Sequence, residues 1–366
     1  MPASRPRREG HCARHRAPGL RAGQHRGVEH RGEAEPPRGA GRGQARRRRL
    51  PAVAGGFRRA PAPGRRGTVK VCELSEAVAS IPAGAHVALP GFAITRCAMA
   101  FAREAIRQGL RGLTISQCVG AMDGDLLVGA GVADRIIYGG GSLDRFGRLG
   151  CINRRIEDGS LKAEEYSSLS MVFRYLAGSL GLPFIPIRSL RGSDILKRLD
   201  VTAPGDHASV ADPFTGEDCL VLRPLVPDVA VVQVQVADAE GNAWIYGPRW
   251  DNGEQVRAAK RAIVITERLV PTDLIRQKPE QTVIPGFRVS HVVQLPFGAH
   301  PASVYRAYDY DAEEIRRYAE AAKTAEGLRA YLDEFVFGLH DHWEYLAHIG
   351  GAERLNRLAA DPILGY

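Results

Sequence analysis

The chain has 366 residues, 25% charged and 44% hydrophobic, with a formal net charge of +9. That length suits one large domain or two medium ones, and no run of about 18 apolar residues interrupts it, so no membrane span is expected. The positive charge is local. Residues 1–68 hold 18 Arg and four Glu with neither Lys nor Asp, a balance of +14; the whole-chain +9 less that +14 leaves −5 on residues 69–366.

Residues 1–68 are rich in Arg, Gly, Pro and Ala, with Phe57 as their one aromatic. Such a segment buries too little apolar surface to offset chain entropy and is expected to be a disordered leader, outside the fold. The Arg46–Arg49 run would suit a nucleic-acid-binding tail. A secretory targeting peptide would need an apolar core, which the segment lacks. Patterned sequence begins abruptly near Val69, and Lys and Asp are missing before it. Both features favour upstream sequence translated ahead of the folded unit, with nucleic-acid binding the lesser reading.

From Val69 onward, short apolar runs alternate with helical patterns. His86–Pro90 reads as a buried strand, followed by the loop Gly91-Phe92-Ala93-Ile94-Thr95-Arg96. Met99, Ala102 and Ile106 recur at helical spacing, with Gly109 at the C-cap position. Leu113–Gln117 is a strand, Asp123–Gly131 a short helix and Arg135–Tyr138 another strand. A strong helix is expected from about Glu164, with Tyr166, Leu169, Val172, Phe173, Leu176 and Leu180 on its apolar face and a stop at Gly181 and Pro183. Phe184–Ile187 is a strand, and residues 200–220 read as a loop-like excursion. Asp228–Val236, Ala262–Thr266 and Val289–Leu295 are strands, and the C-terminal stripes Ile315/Tyr318/Ala322 and Leu328/Tyr331/Leu332/Phe335 are helical. This rhythm predicts one α/β domain over residues 69–366, built on an open, mostly parallel sheet with flanking helices.

Local motifs do not specify a reaction. Cys12, Cys72, Cys97, Cys118, Cys151 and Cys219 are scattered without a C-x-x-C pair, which disfavours zinc or a disulfide framework and suits a reducing cytoplasm. Gly139-Gly140-Gly141-Ser142 ends a strand, where backbone N–H groups can approach a ligand, although such a cluster taken alone is more often a tight turn. Glu164 and Glu165 fall in the expected first helical turn, where the helix dipole favours carboxylates; Glu165 could instead point into a cleft. His340 and His342, two apart, face different ways on a helix and read as surface or packing residues. His300, in the loop after Pro296-Phe-Gly-Ala299, is open to a polar contact with a ligand or partner. No G-x-S-x-G elbow or H-E-x-x-H is present.

Six segments, in order, resemble the α subunits of family I coenzyme A transferases of the glutaconate CoA-transferase type. They are Gly91–Arg96; Gly141–Gly147 with Asn153–Arg155; Glu164–Ser168 through Arg174 and Pro183 to Gly192-Ser193-Asp194; Ala237–Ala243; Ile263–Glu267; and Ile284–Phe287 with Pro296–Pro301. The resemblance implies the fold shared with sugar-phosphate isomerases of the NagB/RpiA kind. It also implies a homologous β-subunit partner in an α2β2 assembly, an acyl-CoA thioester as substrate, and no permanently bound cofactor or metal. The nucleophilic glutamate of such enzymes lies in the β subunit within a Ser-Glu-Asn-Gly-like segment, which this chain lacks. The α subunit then supplies pocket and oxyanion loops, here Gly91, Phe92, Thr95, Arg96, Gly140, Gly141, Ser142, Ser193 and His300. Ala93 stands where the family has a second glycine, and Ala98 where it often has proline. A related branch, the ring-opening hydrolases of steroid catabolism, uses an α-subunit glutamate matching Glu165. CoA transfer is therefore the first expectation and hydrolysis of a cyclic acyl-CoA the alternative.

Overall fold

The structure, a computed structural model, describes residues 70–361 and 363–364. The leader expected over residues 1–68 lies outside them. The described chain opens with α1 (Leu74–Ala79), β1 (His86–Ala88), α2 (Met99–Arg107), β2 (Leu113–Gln117), α3 (Met122–Gly129) and β3 (Ala133–Tyr138). It continues through α4 (Gly150–Glu157), β4 (Lys162–Glu165), α5 (Ser168–Leu180), β5 (Ile185–Ile187), α6 (Asp194–Thr202), β6 (His207–Ala211) and β7 (Asp218–Leu222). Next come β8 (Val229–Asp238), β9 (Ala243–Trp244), α7 (Asn252–Ala258), β10 (Arg261–Val270), α8 (Thr272–Arg276), β11 (Thr282–Ile284) and β12 (Val289–Gln294). The chain closes with α9 (Ala312–Ala321), α10 (Ala325–Leu332), α11 (His342–His348) and α12 (Gly351–Leu358).

Parallel pairing sets the order β12-β10-β8-β1-β2-β3-β4. β9 runs antiparallel beside the far end of β8 and carries β11. This is the open, mostly parallel sheet that the alternation of patterns predicts. Strand geometry sends alternate side chains to opposite faces. Along β8, Val229 and Val231 join the core under α1–α4 and α9–α10, while Ala230, Val232 and Val234 join the core under α5 and α7. All ten residues of β8 are buried, as expected of a strand covered on both faces.

Three expectations are corrected. The helix does not start at Glu164. Glu164 and Glu165 end β4, paired with Ile137 and Tyr138, and α5 starts at Ser168, capped by the Ser167 hydroxyl accepting from the Ser170 amide. The helix-dipole account of Glu164 therefore gives way to an ion pair with Arg135. Secondly, the apolar stripe of α5 is not its buried face. Ser170, Met171, Arg174, Tyr175 and Ala177 are buried, whereas Leu169 and Leu180 are 52% and 63% exposed. Arg174 is held inside by Asp206 at 2.7 Å and the Tyr166 ring at 4.3 Å, and Tyr175 donates to Ser116. Thirdly, residues 200–220 are not simply loop. β6 and β7 form a separate antiparallel sheet with β5, so the strand expected at Phe184–Ile187 belongs there and not to the main sheet.

Candidate functional site

Strand order reverses at the β1–β8 pair, with β2, β3 and β4 on one side and β10 and β12 on the other. Loops leaving the carboxyl ends of strands on either side of such a reversal part and leave a crevice. The loop after β1 is Gly91–Arg96. Phe92 and Thr95 exchange main-chain hydrogen bonds at 3.0 Å, closing a tight turn. Gly91 has φ +88, and a Cβ there would stand 2.7 Å from the Thr95 carbonyl oxygen, so only glycine fits. Ala93 and Arg96 also take positive φ, 53° and 52°. A left-handed non-glycine residue costs about 1–2 kcal/mol, so Ala93 keeps a glycine-like turn under strain.

That strain is balanced from below. The segment after β9 brings Trp250 against Phe92, with rings stacked at 5.3 Å, and the Arg96 guanidinium lies 4.6 Å from the Trp250 ring. Arg96 donates to Asn252 Oδ1 at 3.0 Å. Gln255 donates to the Leu89 carbonyl at 3.1 Å and to Asp251 at 3.0 Å, fastening α7 to the end of β1. All four polar side chains are at most 1% exposed. Burial holds the Arg96 guanidinium down to about 10, against the pull of Asp251, and pushes the Asp251 carboxyl up to about 7. Arg96 Nε, Asp251 Oδ1, Asn252 Nδ2 and Gln255 Oε1 have no hydrogen-bond partner among the described residues. Asp251, Asn252, Gln255 and Trp250 were not expected from sequence. The only local hint is the i, i+4 spacing of Asp251 and Gln255, whereas the partners of Asn252 and Gln255, Arg96 and Leu89, lie more than 150 residues upstream.

The glycine-rich turn follows β3. Gly120 and Gly141 bridge, with Gly120 donating to the Gly140 carbonyl at 2.8 Å. Gly140 has φ +83 and open space around it, whereas a Cβ on Gly139 would stand 2.4 Å from the Cys118 carbonyl oxygen. The Ser142 hydroxyl accepts from the Asp144 amide at 3.1 Å. Beside this turn, β4 ends in Glu165, the register partner of Tyr138. Glu165 is half-buried and makes no ion pair or hydrogen bond among the described residues, whereas its neighbour Glu164 is 3% exposed and bound to Arg135. Burial, with Glu165 adding to it, pushes the Tyr138 hydroxyl up to about 12.

Gly91–Arg96, Gly140–Ser142 and Glu165 thus all lie at the carboxyl edge of neighbouring strands. Thr95 opens on a hollow of ≈ 270 Å³ shared with Trp250, Ser303, Tyr305 and Arg306, to which Gly140 and Glu165 contribute no wall. Two further candidate residues are engaged within the fold itself. His300 is fully buried, its ring nitrogens 2.9 Å from the Tyr345 hydroxyl and 3.2 Å from Asp311, so it is closed to a ligand or partner and serves the interior. The Ser193 hydroxyl caps α6 by accepting from Leu196 and donates to the Leu190 carbonyl, leaving it no role as a free donor.

A half-buried carboxylate unforeseen as a site residue lies in the second half of β10. Glu267 accepts from Gln233 (2.7 Å), the Tyr308 hydroxyl (2.8 Å) and the Phe297 amide (2.7 Å), anchoring the loop before His300. Burial pushes it up to about 7 against these hydrogen bonds. Among the described residues no three His, Cys, Asp or Glu gather as metal ligands, and no helix is long and apolar enough to cross a membrane.

The Coenzyme A transferase family profile matches residues 71–295. The α subunit of glutaconate CoA-transferase from Acidaminococcus fermentans is 34% identical over 315 residues, covering 81% of this chain and 97% of its own length. The crystal structure of glutaconate coenzyme A-transferase from that organism superposes with a TM-score of 0.77 at 33% identity, over 81% of this chain and 98% of that one. An uncharacterized protein of Archaeoglobus fulgidus is 38% identical over 293 residues, 79% of this chain; the chain spans 64% of that relative's length. The IpdA subunit of a Mycobacterium tuberculosis cholesterol ring-cleaving hydrolase is 30% identical over 292 residues, 77% of this chain and 98% of its own. With matching strands, loops and order over most of its described length, the chain belongs to the coenzyme A transferase family.

Proposed function

We propose that this chain is the α subunit of a two-subunit coenzyme A transferase, moving CoA from an acyl-CoA thioester to a carboxylic acid. The homologous β subunit supplies a glutamate carboxylate that attacks the thioester carbonyl, giving an acyl-glutamyl anhydride and the CoA thiolate. The thiolate attacks the glutamyl carbonyl, releasing the donor acid as its carboxylate and leaving a glutamyl-CoA thioester, and the same steps in reverse pass the CoA to the acceptor acid. Splitting the transfer in two is covalent catalysis. In this reading the α subunit provides the crevice, through the Gly91–Arg96 turn and the backbone N–H groups of the Gly140–Gly141 turn near the developing oxyanion. The assembly is two α and two β subunits, working in catabolism in the cytoplasm. The observation that carries the reading is the likeness to the glutaconate CoA-transferase α subunit over 81% of this chain and 97% of that subunit, with the strained Gly91–Arg96 turn at the strand-order reversal.

The test is reconstitution with the β subunit, followed by acyl-CoA treatment and borohydride. Transfer by a glutamyl thioester predicts inactivation with the reduced residue in the β subunit. Turnover by this chain without its partner would refute the reading. A second reading is hydrolysis of a cyclic acyl-CoA with Glu165 as general base. It is favoured by the unpaired, half-buried carboxylate at the end of β4 and by the likeness to the IpdA subunit. Borohydride-insensitive turnover that Glu165→Gln abolishes would support it over transfer.

A further inference from the structure

Next to the hollow at Thr95 lies a second, of ≈ 400 Å³, walled by Trp244, Tyr246, Gly247, Arg249, Tyr305 and Arg306 among others. The two hollows share Tyr305 and Arg306, so they adjoin as two compartments on either side of these residues. The compartments differ in chemistry. The one at Thr95 is walled by Trp250, Tyr308, Pro248 and Ala360 together with the carboxylate of Asp309. The other carries Arg249 and Arg306 and no carboxylate on its wall.

Those two arginines are free. Among the described residues neither makes a salt bridge or a side-chain hydrogen bond; Arg145, Arg148, Arg188, Arg198, Arg268, Arg288 and Arg316 are unpaired too, and what sets Arg249 and Arg306 apart is that both line one hollow. The Arg306 guanidinium instead lies 5.7 Å from the Tyr305 ring and 6.0 Å from the Tyr246 ring. An independent feature points the same way. Trp244, also on the wall, is 5% exposed, and its indole N–H has no hydrogen-bond acceptor among the described residues. Buried donors are nearly always satisfied, and an unsatisfied one beside two free guanidinium groups calls for an acceptor with negative charge.

The walls are built, not incidental. Gln235, buried in β8, donates its amide to the carbonyls of both Tyr246 (3.2 Å) and Tyr305 (3.0 Å) and accepts from the Tyr246 amide (3.1 Å). One side chain thus pins the two loops that face each other. They also interlock by shape: a Cβ on Gly247 would stand 2.7 Å from the Tyr305 ring. Arg306, on the shared wall, takes φ +63, and Trp250, in the Thr95 compartment, φ +45.

We propose that this compartment is an anion-binding subsite that holds a negatively charged group of the thioester substrate while the reacting carbonyl lies toward Thr95. The group is either the distal carboxylate of a dicarboxylic acyl chain or a phosphate of the CoA moiety. Both offer the oxygen acceptors that a guanidinium pair and an indole N–H recognise. The inference rests on the CoA-transferase reading for the identity of the substrate, but not for the existence of the site.

Calorimetric titration of the full chain with inorganic diphosphate and, separately, with glutarate tests it without any turnover. Saturable binding of one probe is expected, and which probe binds names the source of the anion. Arg249→Gln with Arg306→Gln should weaken that binding about 10-fold or more, the equivalent of losing one charge-assisted contact. Both side chains are exposed, so the variant keeps its fold. Trp244→Phe, which removes only the N–H, should weaken the same probe by a smaller factor. Binding that persists unchanged in the double arginine variant belongs to another basic region, the Arg-rich residues 1–68 above all, and overturns the proposal. So does failure of both probes to bind. A bound anion together with no CoA transfer after reconstitution would keep the subsite and sink the transferase reading instead.

Discussion

The glycine turn after β3 separates two reasons for a glycine, and substitutions can tell them apart. A Cβ at Gly139 would stand 2.4 Å from the Cys118 carbonyl oxygen and 2.7 Å from Ser168 Cα. Both are main-chain atoms, at the ends of elements that flank β3, and neither can rotate away. Reaching ordinary contact requires them to part by roughly 1 Å, an overpacking cost of about 1–3 kcal/mol. Gly140 has open space but φ +83, so alanine there meets only the left-handed penalty of about 1–2 kcal/mol. At ~2 °C per kcal/mol for a domain of this size, Gly139→Ala should lower the calorimetric midpoint by about 2–6 °C and Gly140→Ala by about 2–4 °C. Asparagine discriminates between the causes. It tolerates left-handed backbone, so Gly140→Asn should recover part of the loss, whereas Gly139→Asn should fall below Gly139→Ala. Ser168 donates to the Gly139 carbonyl at 3.1 Å, so Gly139→Ala should also displace the start of α5 and lower turnover of the reconstituted enzyme. A Gly139→Ala midpoint matching wild type, or a Gly140→Asn midpoint below Gly140→Ala, would falsify this division.

The remaining predictions concern the same edge of the sheet. Glu165→Gln is expected to leave glutamyl-thioester trapping in the β subunit intact if the enzyme transfers CoA, and to abolish turnover if it hydrolyses; mass spectrometry of the trapped complex reads the difference. Glu267 is held near 7 against an ordinary 4.5, so its folded form prefers the proton. Its contribution is complete below about pH 4.5 and disappears as pH rises through about 7, up to roughly 3 kcal/mol in all. Asp251 titrates in the same direction. The wild-type minus Glu267→Gln difference in urea midpoint, followed between pH 5 and 8, should therefore shrink as pH rises, a comparison in which the opposite contribution of buried His86 and His342 cancels; a difference that does not change with pH means Glu267 is not the carrier. Trp250→Ala deletes the Phe92 stack and the Arg96 contact, about 1–3 kcal/mol together. Its thermal midpoint should drop, with Phe92→Ala having little further effect in the Trp250→Ala background, as expected for a shared contact.

The sequence is most legible where burial is two-sided and local. β2 matches its apolar run at both ends, and the stripes Ile315/Tyr318/Ala322 and Leu328/Tyr331/Leu332/Phe335 are buried as periodicity predicts. It is least legible where polar side chains do the packing. Counting apolar residues selects the wrong face of α5, because the inner face relies on Arg174 and Tyr175, whose partners Asp206 and Ser116 lie far away in the chain. Glu164 and Glu165 suit a helix locally, yet pairing with β3 and the Arg135 ion pair draw them into a strand. β6 is exposed at nearly every position and gives no apolar signal, so its pairing with β7 goes unforeseen. At the candidate site, Gly91 and Gly140 are visible as glycines in loops, whereas the Arg96–Asn252 contact joins positions 156 residues apart and leaves no local pattern.

The central strand also sets a timetable for synthesis. β1 is only three residues long and lies between β2 and β8, and the His86 amide is held by Asp228, 142 residues later. At about 5–20 residues per second, a ribosome takes roughly 7–30 s to deliver that second neighbour. Throughout that interval the nascent chain carries β1, β2, β3 and β4 with an unmated edge at what becomes the middle of the sheet. Chaperone protection of the emerging polypeptide matters most in that window, before the second half of the sheet closes it.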